Sequence, residues 1–174
     1  MRFLFLGAGA IGTYVGGSLA AAGEDVSFIE RPDTAEVIAS RGLKVHTADA
    51  TRLVTNVTMY GSAGEALAAG PYDIGVFALK SFDTQTALDE LVATGHEVPS
   101  ILSLQNGVDN EPTIAATLGA DRVLGGLCGI FGTLSPEGVV VQMAGLPPRI
   151  GFGSFSPTPN CNSSKRATVS AARC

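Results

Sequence analysis

Phe3-Leu4-Phe5-Leu6-Gly7-Ala8-Gly9-Ala10-Ile11-Gly12 is the stretch that decides the fold. Its four apolar residues read as a buried parallel strand. The glycines follow with no spacer. Thr13 to Ala22 then carries Val15, Leu19 and several alanines, and Gly23 stands as a helix stop. The order is strand, tight turn, helix. In this setting each glycine has its own task. Gly7 permits the turn, Gly9 lets the backbone approach a pyrophosphate, and Gly12 lets the helix pack closely on the strand. The pyrophosphate would rest on free N–H groups at the positive end of the helix.

A second strand, Asp25 to Ile29, ends in Glu30, 21 residues after Gly9. A dinucleotide-binding fold places there the group that reads the adenosine ribose. A carboxylate at that point accepts from a 2′-hydroxyl and favours NAD, whereas an arginine accommodates the 2′-phosphate of NADP. Glu30 and the adjacent Arg31 therefore pull in opposite directions.

Further along, Asp33 to Arg41 reads as a polar helix closed by Gly42. Leu43 to Thr47 and Arg52 to Met59 read as an antiparallel pair of strands over the sheet. Ser62 to Ala69 is a short helix stopped by Gly70-Pro71. Asp73 to Leu79 is a central strand with Lys80 at its carboxyl end. Ser81 is placed to cap the next helix, whose apolar face is Ala87, Leu88, Leu91 and Val92. Pro99 to Leu104 is a strand ending in Gln105-Asn106-Gly107, and Asp109 to Leu118 is helical. Arg122 to Thr133 is strand-like and glycine-rich. Val139 to Met143 follows a Pro136-Glu137-Gly138 turn, and Arg149 to Phe152 is a last short strand. This alternation predicts an α/β protein: a Rossmann-type, doubly wound, mostly parallel sheet with helices on both faces. Residues 1–153 are expected to form one dinucleotide-binding domain. Residues 154–174 have few apolar residues and no period, and are expected to be a disordered or poorly docked tail, either a native flexible terminus or what truncation or a shifted reading frame would leave.

The chain of 174 residues has 45% hydrophobic and 16% charged residues, enough to bury a sizeable core. A net charge of −5 with no basic stripe argues against nucleic acid as a partner. The apolar run before the glycines is too short for a leader, and none reaches the ~18 residues of a membrane helix. A cytoplasmic protein is expected. The three cysteines, Cys128, Cys161 and Cys174, give neither a disulfide framework nor a metal signature, and Cys128 reads as a small core residue. His46 and His96 are isolated and read as surface or strand-edge residues.

Ligands of open parallel sheets bind beyond the carboxyl ends of the strands. Glu30-Arg31, Lys80 and Gln105-Asn106-Gly107 occupy equivalent places on successive strands and should meet there. Lys80 is a cation at the rim of a buried strand, suited to a ribose hydroxyl, a substrate carboxylate or a carbonyl oxygen gaining a proton. Asn106 offers two donors and an acceptor, enough for polar groups of both nicotinamide and substrate.

Taken together, GAGAIG at 7–12, FIERP at 28–32, ALKSFDT at 78–84, LQNGV at 104–108 and GGLCGIFGTLSPEGVVVQ at 125–142 resemble the ketopantoate reductases, the 2-dehydropantoate 2-reductases. The resemblance covers about residues 1–153. It implies an NADPH-dependent reduction of 2-dehydropantoate, a 2-oxo acid, to pantoate in pantothenate biosynthesis. It implies further that Gly7, Ala8, Gly9, Ala10, Ile11 and Gly12 form the phosphate loop and that Arg31 contacts the 2′-phosphate. Lys80 then contacts the cofactor, and Asn106 touches both cofactor and substrate. Glu30 departs from the small or apolar residue often found there and leaves NADH open beside NADPH. The family's general-acid lysine lies in a C-terminal helical domain that this sequence does not resemble. A cofactor-binding half with little turnover of its own is therefore expected, its apolar surface inviting self-association. A non-catalytic NAD(P)H-binding module and a related 2-oxo-acid reductase are the alternatives.

Overall fold

A computed structural model describes residues 1–46, 50–135, 138–141, 149–156 and 167–170. In chain order the elements are β1 (Arg2–Leu6), α1 (Ala10–Ala21), β2 (Asp25–Ile29), α2 (Pro32–Arg41), β3 (Leu43–His46), β4 (Thr51–Val54) and β5 (Val57–Tyr60). There follow α3 (Ala63–Ala68), β6 (Ile74–Phe77), α4 (Thr84–Ala93), β7 (Ile101–Ser103), α5 (Asn110–Leu118) and β8 (Val123–Gly129). The last elements are β9 (Gly132–Ser135), β10 (Gly138–Val141), β11 (Arg149–Ser154) and β12 (Ala167–Ser170).

The main sheet has the order β12-β11-β8-β7-β6-β1-β2-β5. From β5 to β8 every pairing is parallel. Numbering those six strands by their appearance gives 3-2-1-4-5-6, the Rossmann order. The order reverses between β1 and β6, and a crevice opens beyond their carboxyl ends. β1 shows why the sheet is covered on both faces. Leu4 and Leu6 turn one way, toward Ala66, Leu67, Leu88, Leu91 and Ile114 of α3, α4 and α5. Phe5 turns the other way, toward Val26, Phe28 and the α1 face. A two-residue period in a strand that is apolar from Phe3 to Leu6 demands this arrangement.

Four departures from the sequence reading have local causes. First, the run from Arg52 to Met59 is not one strand. It breaks at Thr55-Asn56, so β4 pairs antiparallel with β3 while β5 leaves to lie parallel to β2 as an outer strand of the main sheet. Asn56 marks the break, donating through Nδ2 to the Ala20 carbonyl at the end of α1, at 2.8 Å. Second, β9 and β10 join β3 and β4 in a separate four-stranded sheet, β4-β3-β10-β9. It lies over α1, where a Cβ on Gly17 would come 3.3 Å from Val45 Cγ2. Third, α4 is not capped by Ser81. Residues Ser81–Asp83 form a 3₁₀ turn and α4 begins at Thr84, with Thr84, Leu88 and Leu91 buried and Val92 exposed. Fourth, the stretch read as a disordered tail supplies β12, antiparallel to β11. Its β-branched Thr168 and Val169 suit a strand, but two such residues in a four-residue run after a long polar stretch are a weak signal. Met143, Cys161, Cys174 and the Pro136-Glu137 part of the turn lie outside the described residues.

Cys128 is half-buried beside Ile130, and burial pushes its thiol pKa above its ordinary 9.0. His96 is exposed, and His46 ends β3 with Nδ1 2.8 Å from Thr51 Oγ1. Among the described residues, no helix is long and apolar enough to cross a membrane.

Candidate functional site

A cavity of about 1000 Å³ opens at the carboxyl ends of β1, β2, β6 and β7, lined by Gly7, Gly9, Ala10, Ile11, Glu30, Arg31, Lys80, Gln105 and Asn106 among others. It stands at the upper end of the ~300–1,000 Å³ range of ligand pockets. The three places separated in sequence do converge.

The loop after β1 is shaped by its glycines. Gly7 has φ +98°, a conformation L side chains avoid, and its N–H donates to the Ile29 carbonyl at 3.1 Å. A Cβ on Gly12 would fall 2.0 Å from the Gly7 carbonyl oxygen and 3.2 Å from Ala78 Cβ, so α1 can seat on the turn only there. Gly9 differs, because a Cβ there would meet nothing within 4 Å. Its free side is the open cavity. Gly9 is also the N-cap of α1, without a side-chain cap and with no acid in the first helical turn. The helix start thus presents N–H groups without a side-chain cap, and its positive dipole end, to the cavity.

Not all six loop residues face the cavity. Ala8 is buried, its N–H donating to Glu30 Oε1 at 2.8 Å, and its carbonyl accepts from Thr13 Oγ1 at 2.8 Å. Gly12 is buried against Gly7 and Ala78. These two hold the loop's shape, and Gly7, Gly9, Ala10 and Ile11 form its open face. Sequence could not separate them, because a motif gives spacing and not the direction of each N–H.

Glu30 turns inward onto this loop, its second oxygen accepting the Arg31 N–H at 3.0 Å. Arg31 precedes Pro32 as the N-cap of α2 and is exposed, lining the cavity. Lys80 and Asn106 are likewise exposed, standing at the ends of β6 and β7. Beneath them lies a group of buried polar side chains, Thr84, Gln105 and Asn110.

Sequence reasoning missed the wall from the β8–β9 connection, where Phe131 is 73% exposed and lines the cavity with Ile130, Gly132 and Thr133. The strand-end rule would have found it had Arg122 to Thr133 been divided at Ile130-Phe131. Asp83 and Glu90, from the 3₁₀ turn and α4, add negative charge to the Lys80 side.

The profile of the family described as ketopantoate reductase PanE/ApbA matches residues 3–157. A 2-dehydropantoate 2-reductase of Pyrococcus horikoshii is 34% identical over 155 residues, which cover 86% of this chain and 48% of that protein. An uncharacterised oxidoreductase of Bacillus subtilis, YkpB, is 30% identical over 140 residues, covering 80% of this chain and 45% of its own. Among solved structures, a 2-dehydropantoate 2-reductase from Geobacter metallireducens superposes with a TM-score of 0.77 at 35% identity, over 91% of this chain and 50% of that one. The chain spans about half the length of the curated relatives it matches.

Proposed function

The chain belongs to the ketopantoate reductase PanE/ApbA family, and from that premise we propose that it provides the cofactor-binding part of a 2-dehydropantoate 2-reductase. The reaction is NADPH-dependent reduction of ketopantoate, a 2-oxo acid, to pantoate. Residues 1–153 carry this role. The observation that carries the reading is the convergence of an open glycine turn, an arginine, a lysine and an asparagine on one cavity at the switch point of the sheet.

The residues present fit a dinucleotide. The free side of Gly9 and the uncapped start of α1 form a cradle of N–H donors for a diphosphate. Gly9, Ala10 and Ile11 supply its backbone, Gly7 turns the chain beneath it, and Ala8 and Gly12 keep its shape. Arg31 takes the 2′-phosphate. Both Glu30 oxygens already accept backbone N–H groups, which holds that carboxylate against the loop, so the preference for NADPH over NADH rests on Arg31. When bound, the nicotinamide supplies a hydride for the carbonyl carbon of the substrate. Asn106 orients the nicotinamide and the 2-oxo acid through its amide. Lys80, at the end of β6 on the same cavity, contacts the nicotinamide half of the cofactor.

Titration of the 174-residue chain with NADPH and NADH, followed by ligand fluorescence, tests this reading. Saturable binding with NADPH preferred is expected, and no binding at millimolar nucleotide overturns it. Because the chain spans about half of its relatives, ketopantoate-dependent NADPH oxidation is assayed separately, and binding does not depend on it. The match to an uncharacterised oxidoreductase keeps a related 2-oxo-acid reductase as the second reading. A panel of 2-oxo acids, scored by their effect on NADPH affinity, separates the two.

A further inference from the structure

Lys80 and Asn106 stand on different strands, yet they share a buried support. Gln105 is 7% exposed, Asn110 3% and Thr84 2%. Gln105 Nε2 lies 3.2 Å from the Leu79 carbonyl oxygen, 3.4 Å from that of Lys80 and 2.8 Å from Thr84 Oγ1. Thr84 Oγ1 donates to Asn110 Oδ1 at 3.2 Å. Asn110 Nδ2 donates to the Asn106 carbonyl at 2.9 Å. The direction of this chain is fixed by its ends. Two carbonyl oxygens beside the Gln105 amide require its nitrogen there. Thr84 accepts from that nitrogen and has one hydrogen left, for Asn110. The Asn110 nitrogen then faces Asn106. One continuous run of donors thus leads from the Lys80 backbone to the Asn106 backbone.

Thr84 and Asn110 are the first residues of α4 and α5. The run therefore joins two helix starts to two strand ends. It is an uneconomical way to fill space, since Gln105 Oε1 is buried with no hydrogen-bond partner, which an apolar side chain would avoid. The donor atoms of the run nevertheless all have acceptors, Gln105 Nε2, Thr84 Oγ1 and Asn110 Nδ2 alike, and a buried run so connected specifies one geometry, here the placement of Lys80 relative to Asn106.

We infer that Gln105, Thr84 and Asn110 form a positioning relay that sets Lys80 and Asn106 for the nicotinamide half of the cofactor. The inference rests on the cofactor reading above. The adenosine half is held by other elements, the loop after β1 and Arg31 after β2. The relay therefore discriminates between the two halves of one ligand.

Thr84→Val keeps the shape of the side chain and removes the hydroxyl. NADPH affinity should fall about tenfold, as for loss of a buried hydrogen-bonded group. Affinity for adenosine 2′,5′-bisphosphate, which lacks the nicotinamide half, should be unchanged. Thr84→Ser should restore NADPH binding. Tyr72, just before β6 at the opposite end of the sheet, carries another buried hydroxyl, 3.0 Å from the Ala66 carbonyl, and Tyr72→Phe, which removes it, should leave both affinities unchanged. In the ligand-free protein, the amide resonances of Lys80 and Asn106 should move in Thr84→Val while those of residues 7–12 stay in place. Should Thr84→Val not fold, Gln105→Met, of similar volume, carries the same expectations. Equal weakening of both ligands, or no change in NADPH affinity, overturns the relay and leaves the cofactor reading standing. If the wild type binds neither ligand, the cofactor reading fails. The ligand-free resonances then decide the coupling, and stationary Lys80 and Asn106 signals overturn it.

Discussion

One Glu30 carboxylate oxygen accepts the backbone N–H of Ala8 at 2.8 Å, tying the end of β2 to the turn after β1. The other oxygen accepts the Arg31 N–H at 3.0 Å. A fixed negative charge thus stands beside the arginine proposed to receive a 2′-phosphate. It opposes that phosphate and does not oppose a 2′-hydroxyl. Near a protein surface, two charges a few ångströms apart interact by about 1–4 kcal/mol. Glu30→Gln keeps an acceptor for Ala8 and removes the charge. The ratio of NADPH to NADH affinity should rise about tenfold, by ~1.4 kcal/mol. The rise should shrink with added salt. Paired titrations at low and high ionic strength measure both effects, and a falling ratio would show Glu30 to be supporting the phosphate site.

Gly9 and Gly12 make opposite predictions from one motif. A Cβ on Gly9 enters open space, so Gly9→Ala should fold with unchanged melting temperature and lose NADPH affinity by tenfold or more, because the added methyl occupies the diphosphate's approach. A Cβ on Gly12 falls 2.0 Å from backbone oxygen, which cannot move without unseating α1 from the turn. Gly12→Ala should lower stability by roughly 3 kcal/mol or more. Thermal melts beside nucleotide titrations separate the two. Equal loss of stability in both would contradict the open face of Gly9.

The glycine turn and the strand-end positions were legible in the sequence because their causes are local. A turn at positive φ, a close helix approach and an apolar run each leave a mark within a few residues. The doubly wound, mostly parallel character of the main sheet was legible at one remove, since right-handed crossovers leave few alternatives. The small sheet was not. β10 pairs with β3 through Val139 and Val140 against Val45 and His46, far apart in sequence, and no local pattern announces a partner. The buried relay was illegible for a different reason. Thr84 and Asn110 are residue types that usually cap helices at the surface, and Gln105 reads as part of a loop. Only packing shows that all three point inward.

Gly16 carries a test of the core between α1 and the sheet. An added Cβ would stand 2.5 Å from Phe28 Cζ and 3.3 Å from Phe5 Cδ2. Both rings are fully buried, their centroids 5.2 Å apart. Alanine in a helix gains about 0.5–1 kcal/mol over glycine. Overpacking against two locked rings costs about 1–3 kcal/mol and should win. Gly16→Ala is expected to melt a few degrees lower, at roughly 2–4 °C per kcal/mol for a chain of this size. Gly64→Ala in α3, where a Cβ meets nothing within 4 Å, should melt slightly higher. The opposite sign at Gly16 would mean that the Phe5–Phe28 pair yields readily.

Cys128 ties stability to alkaline pH. Burial raises its thiol pKa above 9.0 in the folded chain, the nearby Ile130 backbone opposing this only in part. Below that value the thiol is protonated in both folded and unfolded states, and its full contribution to stability is present. As pH rises past about 9 the unfolded thiol ionises first, so stability falls until the folded pKa is passed. Cys128→Ala should therefore flatten the alkaline limb of denaturant stability above about pH 9, over the interval from the unfolded to the folded thiol pKa. Tyr14 and Tyr72, whose hydroxyls burial also raises above 10.0, extend the decline at higher pH in both proteins. In a Cys161→Ser, Cys174→Ser background, thiolate-selective labelling of Cys128 should lag behind an unfolded peptide across the same interval, because only the thiolate reacts. Labelling as fast as the peptide at pH 8 would place Cys128 in water and remove the cause of the pH dependence.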